Sequence, residues 1–223
     1  TVRSFDRPTY DISPVVTTFR RWGDNASLNM LQLTQKLCWL LAICGFIRPS
    51  DVARIDDICT VRTDLTLKLV VVVPKEKRNG QRIEKVISVT SHRNPVLCPV
   101  TAYTAYRARF DSNVSPAQHP IPSDLEYSPL VQSLRGHQFA VGSPRISKHI
   151  NAIMALIPVP VGASLPKACT LGSTHAAFAG ASWKDILTQG FWASTGVFDT
   201  FYRLARSTQA NLTELSFSAP TSL

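Results

Sequence analysis

Apolar residues fall into several distinct rhythms along the chain, and these set the expected elements. Residues 28–46, "LNMLQLTQKLCWLLAICGF", start with helical spacing and become almost continuously apolar. Such a stretch reads as a helix buried on most sides, with Ser27 placed as its N-cap. "RPSDVARI" (48–55) restarts a helix, with Ser50 as cap and Asp51 favourable in the first turn. The rhythm then changes. "LTLKLVVVVP" (65–74) is rich in Val and stopped by Pro74, which predicts a strand. "KVISV" (85–89) is the returning strand, and Asn79-Gly80 between them is a two-residue hairpin signal.

Beyond the hairpin, "CPVTAYTAYRARF" (98–110) predicts a helix with Pro99 in its first turn. Residues 111–129 hold four prolines and no period, so a surface loop is expected. "PRISKHINAIMALI" (144–157) places Ile146, Ile150, Ile153, Met154 and Ile157 on one helical face. Three shorter helices follow at 171–180, 182–190 and 193–206, with Gly180 and Gly190 as stops. Residues 1–24 read as a polar lead-in with one short helix near 15–22, and 207–223 as a polar tail. The expected fold is mainly α with one small β-hairpin or three-stranded sheet (α+β), its domain spanning residues 25–206.

The charge balance narrows the function. The chain has 223 residues and a net charge of +9, which favours a polyanionic partner, nucleic acid before an anionic membrane surface. The longest apolar run, "LCWLLAICGFI" (37–47), is too short for a transmembrane helix. "TVRSFDRPTY" at the start carries no secretory signal pattern. Five widely spaced cysteines without a CxxC suit reduced thiols, and hence an intracellular setting. Glycine-rich phosphate loops, a nucleophile-elbow serine and an HExxH zinc motif are all missing from the sequence.

The remaining candidates are basic residues at element boundaries and a Tyr near the end. Arg48 follows the long apolar helix. It either satisfies the carbonyls of that helix or, beside the next helix start, grips a phosphate through its guanidinium. Lys75 is either a solvated turn lysine or an ammonium able to reach a backbone phosphate and donate a proton. Trp192, like Tyr202 with Phe198 and Phe201, reads equally as core packing. A phenol acts as a nucleophile only if cations lower its pKa or a base takes its proton.

Four stretches together carry a resemblance. "LLAICGFIRPSDVARID" (40–56), "VVVVPKEKRNGQRIEKVISV" (70–89), "LCPVTAYTAYRARF" (97–110) and "AAFAGASWKDILTQGFWASTGVFDTFYRL" (176–204) occur in this order. Together they resemble the catalytic domain of tyrosine recombinases, most of all the Crypton and DIRS type of eukaryotic mobile elements. The resemblance implies that Arg48 grips the scissile phosphate, that Lys75 (or Lys77) protonates the leaving 5′ oxygen, and that Trp192 supports the phosphate. Tyr202 would attack and form a 3′-phosphotyrosine bond. Lys77, Arg78, Arg82, Lys85, Arg107, Arg145 and Lys148 would neutralise flanking phosphates. The resemblance implies double-stranded DNA as partner, a DNA-bound tetramer, no cofactor and no metal, and work in the nucleus if the source is eukaryotic. It also implies that the chain is the catalytic half of a longer protein, since residues 1–24 are too short for a DNA-clamping domain.

One departure stands out. The family carries H-x-x-R before the helix at "AAFAG", and its Arg is a second phosphate clamp. Counting back eleven residues from Gly180 puts that Arg at Cys169 and the His at Pro166. A shifted register puts the His at Cys169 and the Arg at Gly172. Either way the second arginine is missing, and nearby Lys167 lacks the bidentate fork. Three functions therefore compete: a strand-exchange enzyme, a catalytically inactive recombinase-derived DNA-binding module, and an unrelated helical protein that binds RNA or a protein partner.

Overall fold

The computed structural model describes residues 10–74, 77–78, 81–82, 85–110, 116–119, 124–134 and 136–192. Lys75 and Tyr202, with the expected helix at 193–206 and the tail, lie outside these residues.

The chain is organised around one apolar helix. Helix α1 (Ser13–Trp22) comes first, then α2 (Met30–Cys44). The cap of α2 is Asn29 and not Ser27. Asn29 Oδ1 accepts from the Gln32 amide at 2.9 Å, while the Gln32 side chain accepts from the Asn29 amide at 3.2 Å. This reciprocal box satisfies two orphan donors, whereas the Ser27 hydroxyl donates back to the Asp24 carbonyl at 2.8 Å. Leu33, Leu37, Leu40 and Leu41 of α2 are buried, as the continuous apolar pattern demands. Val15 and Phe19 of α1, inside the expected lead-in, belong to the same core.

Helix α3 (Pro49–Val52) leads into a three-stranded antiparallel sheet of β1 (Ile55–Arg62), β2 (Thr66–Val71) and β5 (Lys85–Thr90), in the order β1-β2-β5. The register Thr66↔Thr90 through Val71↔Lys85 makes β2 and β5 the expected hairpin. At its far end β3 (Lys77–Arg78) pairs with β4 (Gln81–Arg82), and Arg78↔Gln81 leaves two residues between them, as an Asn-Gly turn requires.

Helix α4 (Pro99–Arg107) follows. The stretch expected as a plain loop contains a short ladder of β6 (Ala117–Gln118) with β7 (Glu126–Tyr127). A second ladder pairs β8 (Gln132–Ser133) with β9 (Gly136–Ala140). Helices α5 (Ser143–Met154), α6 (Ala168–Phe178) and α7 (Trp183–Gly190) complete the order. Helix α2 packs against α4, α5 and α6, so its end, with Arg48 just beyond, sits where α3, α5 and α6 converge. Gly180 takes φ 89° just after α6, as a stop glycine should. Gly190 does not play that part: it is the last residue of α7, and Phe191 makes the left-handed turn at φ 54°.

Candidate active site

Arg48 is the N-cap residue of α3, in extended conformation, and Pro49 fixes the first helical position. Arg48 lines a cavity of about 420 Å³ walled also by residues 143–151 of α5 and by the start of α6. Ser50, Ser147, Asn151, Lys167 and Cys169 also line it. Two cations thus meet hydroxyl and amide groups, and no carboxylate is among the described residues lining the cavity. A site of that composition suits an anion.

The two positions that the resemblance offers for a second arginine, 169 and 172, differ in their surroundings. Cys169 lies in the first turn of α6 and lines the cavity, at the opposite end of the helix from Gly180. Gly172 is buried against α2, and a Cβ there would overlap the Ile43 carbonyl. No larger side chain fits at 172 unless α6 moves. Pro166 is half-buried just before the exposed Lys167. Burial pushes the Cys169 thiol above its ordinary pKa, although Arg48 and Lys167 pull it down. Cys169 is therefore a neutral thiol at pH 7, and it adds no charge to the cavity.

Trp192 is buried beside this wall. It stacks on Phe46 at a centroid distance of 6.1 Å and an interplanar angle of 5°, in an apolar cluster with Cys169 and Ile186. It is not among the residues lining the cavity. Gly190 makes room for it, since a Cβ at 190 would lie 2.6 Å from the indole. Gln189 fixes the end of α7 by donating to Cys44 O at 3.3 Å and Ser88 O at 2.9 Å.

Two of the basic residues expected on the DNA-facing surface are engaged elsewhere. Lys85 is buried, with Nζ 3.1 Å from Asp51 Oδ2 and 4.9 Å from the Phe191 ring centroid. It opens β5 with its side chain on the core face, so it is no tip residue. Arg107 Nε lies 2.8 Å from Asp57 Oδ2, and Tyr103 donates to the other oxygen at 2.9 Å. Its charge is spent on a buried carboxylate whose pKa burial raises despite both partners. Arg145 and Lys148 are exposed on α5. Lys77 and Arg78 stand on β3, and Arg82 on β4.

Sequence reasoning missed the Asp51–Lys85 pair, the polar lining at Ser147 and Asn151, and strand β1. Asp51 and Lys85 lie 34 positions apart, and no local signal links them.

No protein-family model matches the chain. No curated protein matches it either. Solved structures do. The crystal structure of XerA recombinase superposes with a TM-score of 0.51 over 94% of this chain and 64% of its own, at 13% identity. The Tn1549 transposon integrase, solved with circular intermediate DNA, gives a TM-score of 0.49 over 92% of this chain and 62% of its own, at 12% identity. The chain therefore spans less than two thirds of either solved chain. Among the described residues, no helix is long and apolar enough to cross a membrane. At these identities the likeness is one of fold: helices packed on a small three-stranded antiparallel sheet, in an arrangement resembling tyrosine recombinase catalytic domains.

Proposed function

We propose that this chain cuts and rejoins DNA strands through a 3′-phosphotyrosine intermediate. The observation that carries the reading is the cavity where Arg48 and Lys167 meet without a carboxylate, in a fold resembling XerA recombinase. Arg48 grips the scissile phosphate, and Lys167 supplies part of the charge that a second arginine would give. The Tyr202 oxygen attacks phosphorus in line, its proton passing to solvent, and the bond to the 5′ oxygen breaks. Lys75, or Lys77 beside it, protonates that departing oxygen. Trp192, behind the Cys169 wall, backs the phosphate site. Stabilising charge on the five-coordinate phosphorus is chiefly electrostatic work. The phosphotyrosine ester conserves the bond energy, so rejoining runs the same steps backwards.

The partner in this reading is duplex DNA. Arg145 and Lys148 of α5, with Lys77, Arg78 and Arg82 of the arm, contact flanking phosphates. The chain works as one subunit of a DNA-bound tetramer, as a relative of the Crypton and DIRS enzymes of mobile elements, and in the nucleus if its host is eukaryotic.

One observation favours a second reading. Cys169 is a buried neutral thiol where the resemblance wants a guanidinium. Losing one positioned transition-state donor costs about 10²–10³ in rate, which suits a catalytically inactive, recombinase-derived DNA-binding module. Nicked duplexes of randomised sequence, which shed a short fragment on cleavage and trap the covalent product, separate the two. A covalent adduct that disappears in Tyr202→Phe establishes strand transfer. Tight duplex binding without adduct, also in Cys169→Arg, leaves the binding module.

A further inference from the structure

Three described residues other than glycine have positive φ: Phe46 (53°), Val73 (48°) and Phe191 (54°). Each stands one or two positions before a residue of the proposed site, namely Arg48, Lys75 and Trp192. A left-handed conformation is costly for a bulky residue and most of all for a β-branched one, so surrounding contacts must enforce it. For Val73 those contacts are visible. Arg54 Nη1 donates to the Val73 carbonyl at 2.9 Å, and the Val72 amide donates to the Arg54 carbonyl at 3.0 Å. Arg54 thus holds the point where the chain leaves β2 for the basic arm.

The other root of the arm is held from the same place. The arm closes on the Val71↔Lys85 pair. Lys85 is bound to Asp51, with both side chains almost wholly buried. Its ammonium also faces the ring of Phe191, the residue before Trp192. The segment carrying these contacts, residues 51–54, is the end of the short helix α3 that Arg48 caps, and Tyr127 braces it by donating to the Ala53 carbonyl at 3.0 Å. One short segment therefore grips both ends of the arm, and the Lys85 root in turn faces Phe191 beside Trp192.

We infer that Arg54 and Lys85 are positioning residues, which fix the two roots of the basic arm to the helix of Arg48 and so, in the strand-transfer reading, govern protonation of the leaving oxygen. The inference rests on the strand-transfer reading for its catalytic consequence, though the clamp itself does not. Neither residue touches the reacting atoms. Each acts through the arm.

The test compares wild type, Arg54→Ala, Arg54→Lys and Val73→Gly on DNA with oxygen or sulfur as the bridging 5′ atom. Sulfur departs without a proton, so it hides a misplaced acid but not a damaged phosphate site. Arg54→Ala should slow cleavage about 10–100-fold on oxygen and less than about threefold on sulfur, short of the about 10²–10⁴-fold that a general acid supplies in full, whereas Val73→Gly, which keeps the carbonyl acceptor and takes a positive φ without strain, should stay near wild type. Arg54→Lys, which keeps a donor, should recover part of the rate. Equal losses on both substrates overturn the inference. Because Lys85→Met alone strands Asp51 in the interior, Lys85 is tested as Lys85→Met with Asp51→Asn. Hydrogen–deuterium exchange on the same proteins reads the clamp without catalysis. Peptides covering residues 69–74 and 85–90 should exchange several-fold faster in Arg54→Ala and in the Lys85–Asp51 double variant, with α2 unchanged. Unchanged exchange there overturns the inference even if no protein cuts. Absence of cleavage by wild type and by Cys169→Arg counts against strand transfer, and the exchange data then decide the clamp alone.

Discussion

Lys36 lies on α2 with no exposed surface, its ammonium 5.2 Å from the Phe19 ring centroid and without a hydrogen-bond partner among the described residues. Burial holds its pKa down from 10.5 to about 8, although Asp24 pulls it back up. The unfolded chain keeps that proton up to about pH 10.4. Between about pH 8 and pH 10.5 the unfolded state binds more protons than the folded one, so stability rises with pH across this window. Below pH 8 both states are protonated, and the full penalty of a buried charge remains. At about 1.36 kcal/mol per pH unit, the fall to about 8 sets a ceiling of about 3 kcal/mol. Lys36→Met keeps the length of the side chain and removes the charge, at the loss of a cation–π contact worth about 0.5–1 kcal/mol. The net expectation at pH 7 is a gain of about 2 kcal/mol, or roughly 4–8 °C in Tm for a chain of this size. Urea titrations of both proteins at pH 7 and pH 10 provide the assay. The gain should shrink as the pH approaches 10, because wild type then folds with a neutral amine. A variant less stable than wild type at pH 7, or an advantage that does not depend on pH, refutes the reasoning.

Two further outcomes follow from the packing. Gly172→Ala drives a methyl group into the Ile43 carbonyl. It should cost about 1–3 kcal/mol as an overpacked contact, read as a lowered Tm. Arg107→Ala and Lys148→Ala should behave oppositely: the first leaves Asp57 without its cation and lowers Tm while the salt dependence of DNA binding stays unchanged. The second leaves Tm alone and flattens the slope of log affinity against log salt by about 0.9, read by fluorescence anisotropy at several salt concentrations.

What the sequence could reveal depended on whether the cause was local. The Val-rich strand and the stripe of Ile146, Ile150 and Ile153 announce themselves within one element, and each stands where the pattern puts it. Strand β1 does not. Its register shifts between Asp56 and Val61, and Ile58 and Val61 on it are exposed, so no period-2 alternation survives. Asp57 looks like a surface residue until Arg107 and Tyr103 arrive from α4. Lys36 and Lys85 count as surface charge in any composition, yet both are buried by partners distant in sequence.

The site shows the same division, and it bears on where a second arginine could stand under the strand-transfer reading. Arg48 is legible because an apolar helix, a Pro and an Asp surround it. From the letters alone, the missing arginine could stand at 169 or at 172. In this packing position 172 has no room for a side chain. Helix α6 approaches α2 this closely only because Gly172 has no Cβ, and that approach brings the first turn of α6 to the cavity. A guanidinium at 172 would push the two helices apart and take Lys167 and Cys169 away from Arg48. One at 169 would enter a cavity already lined by hydroxyls and an amide. Under the strand-transfer reading, then, the departure from the family is one absent side chain on a scaffold still shaped to receive it. Cys169→Arg is the substitution that can restore the charge, and Gly172→Arg can only break the fold.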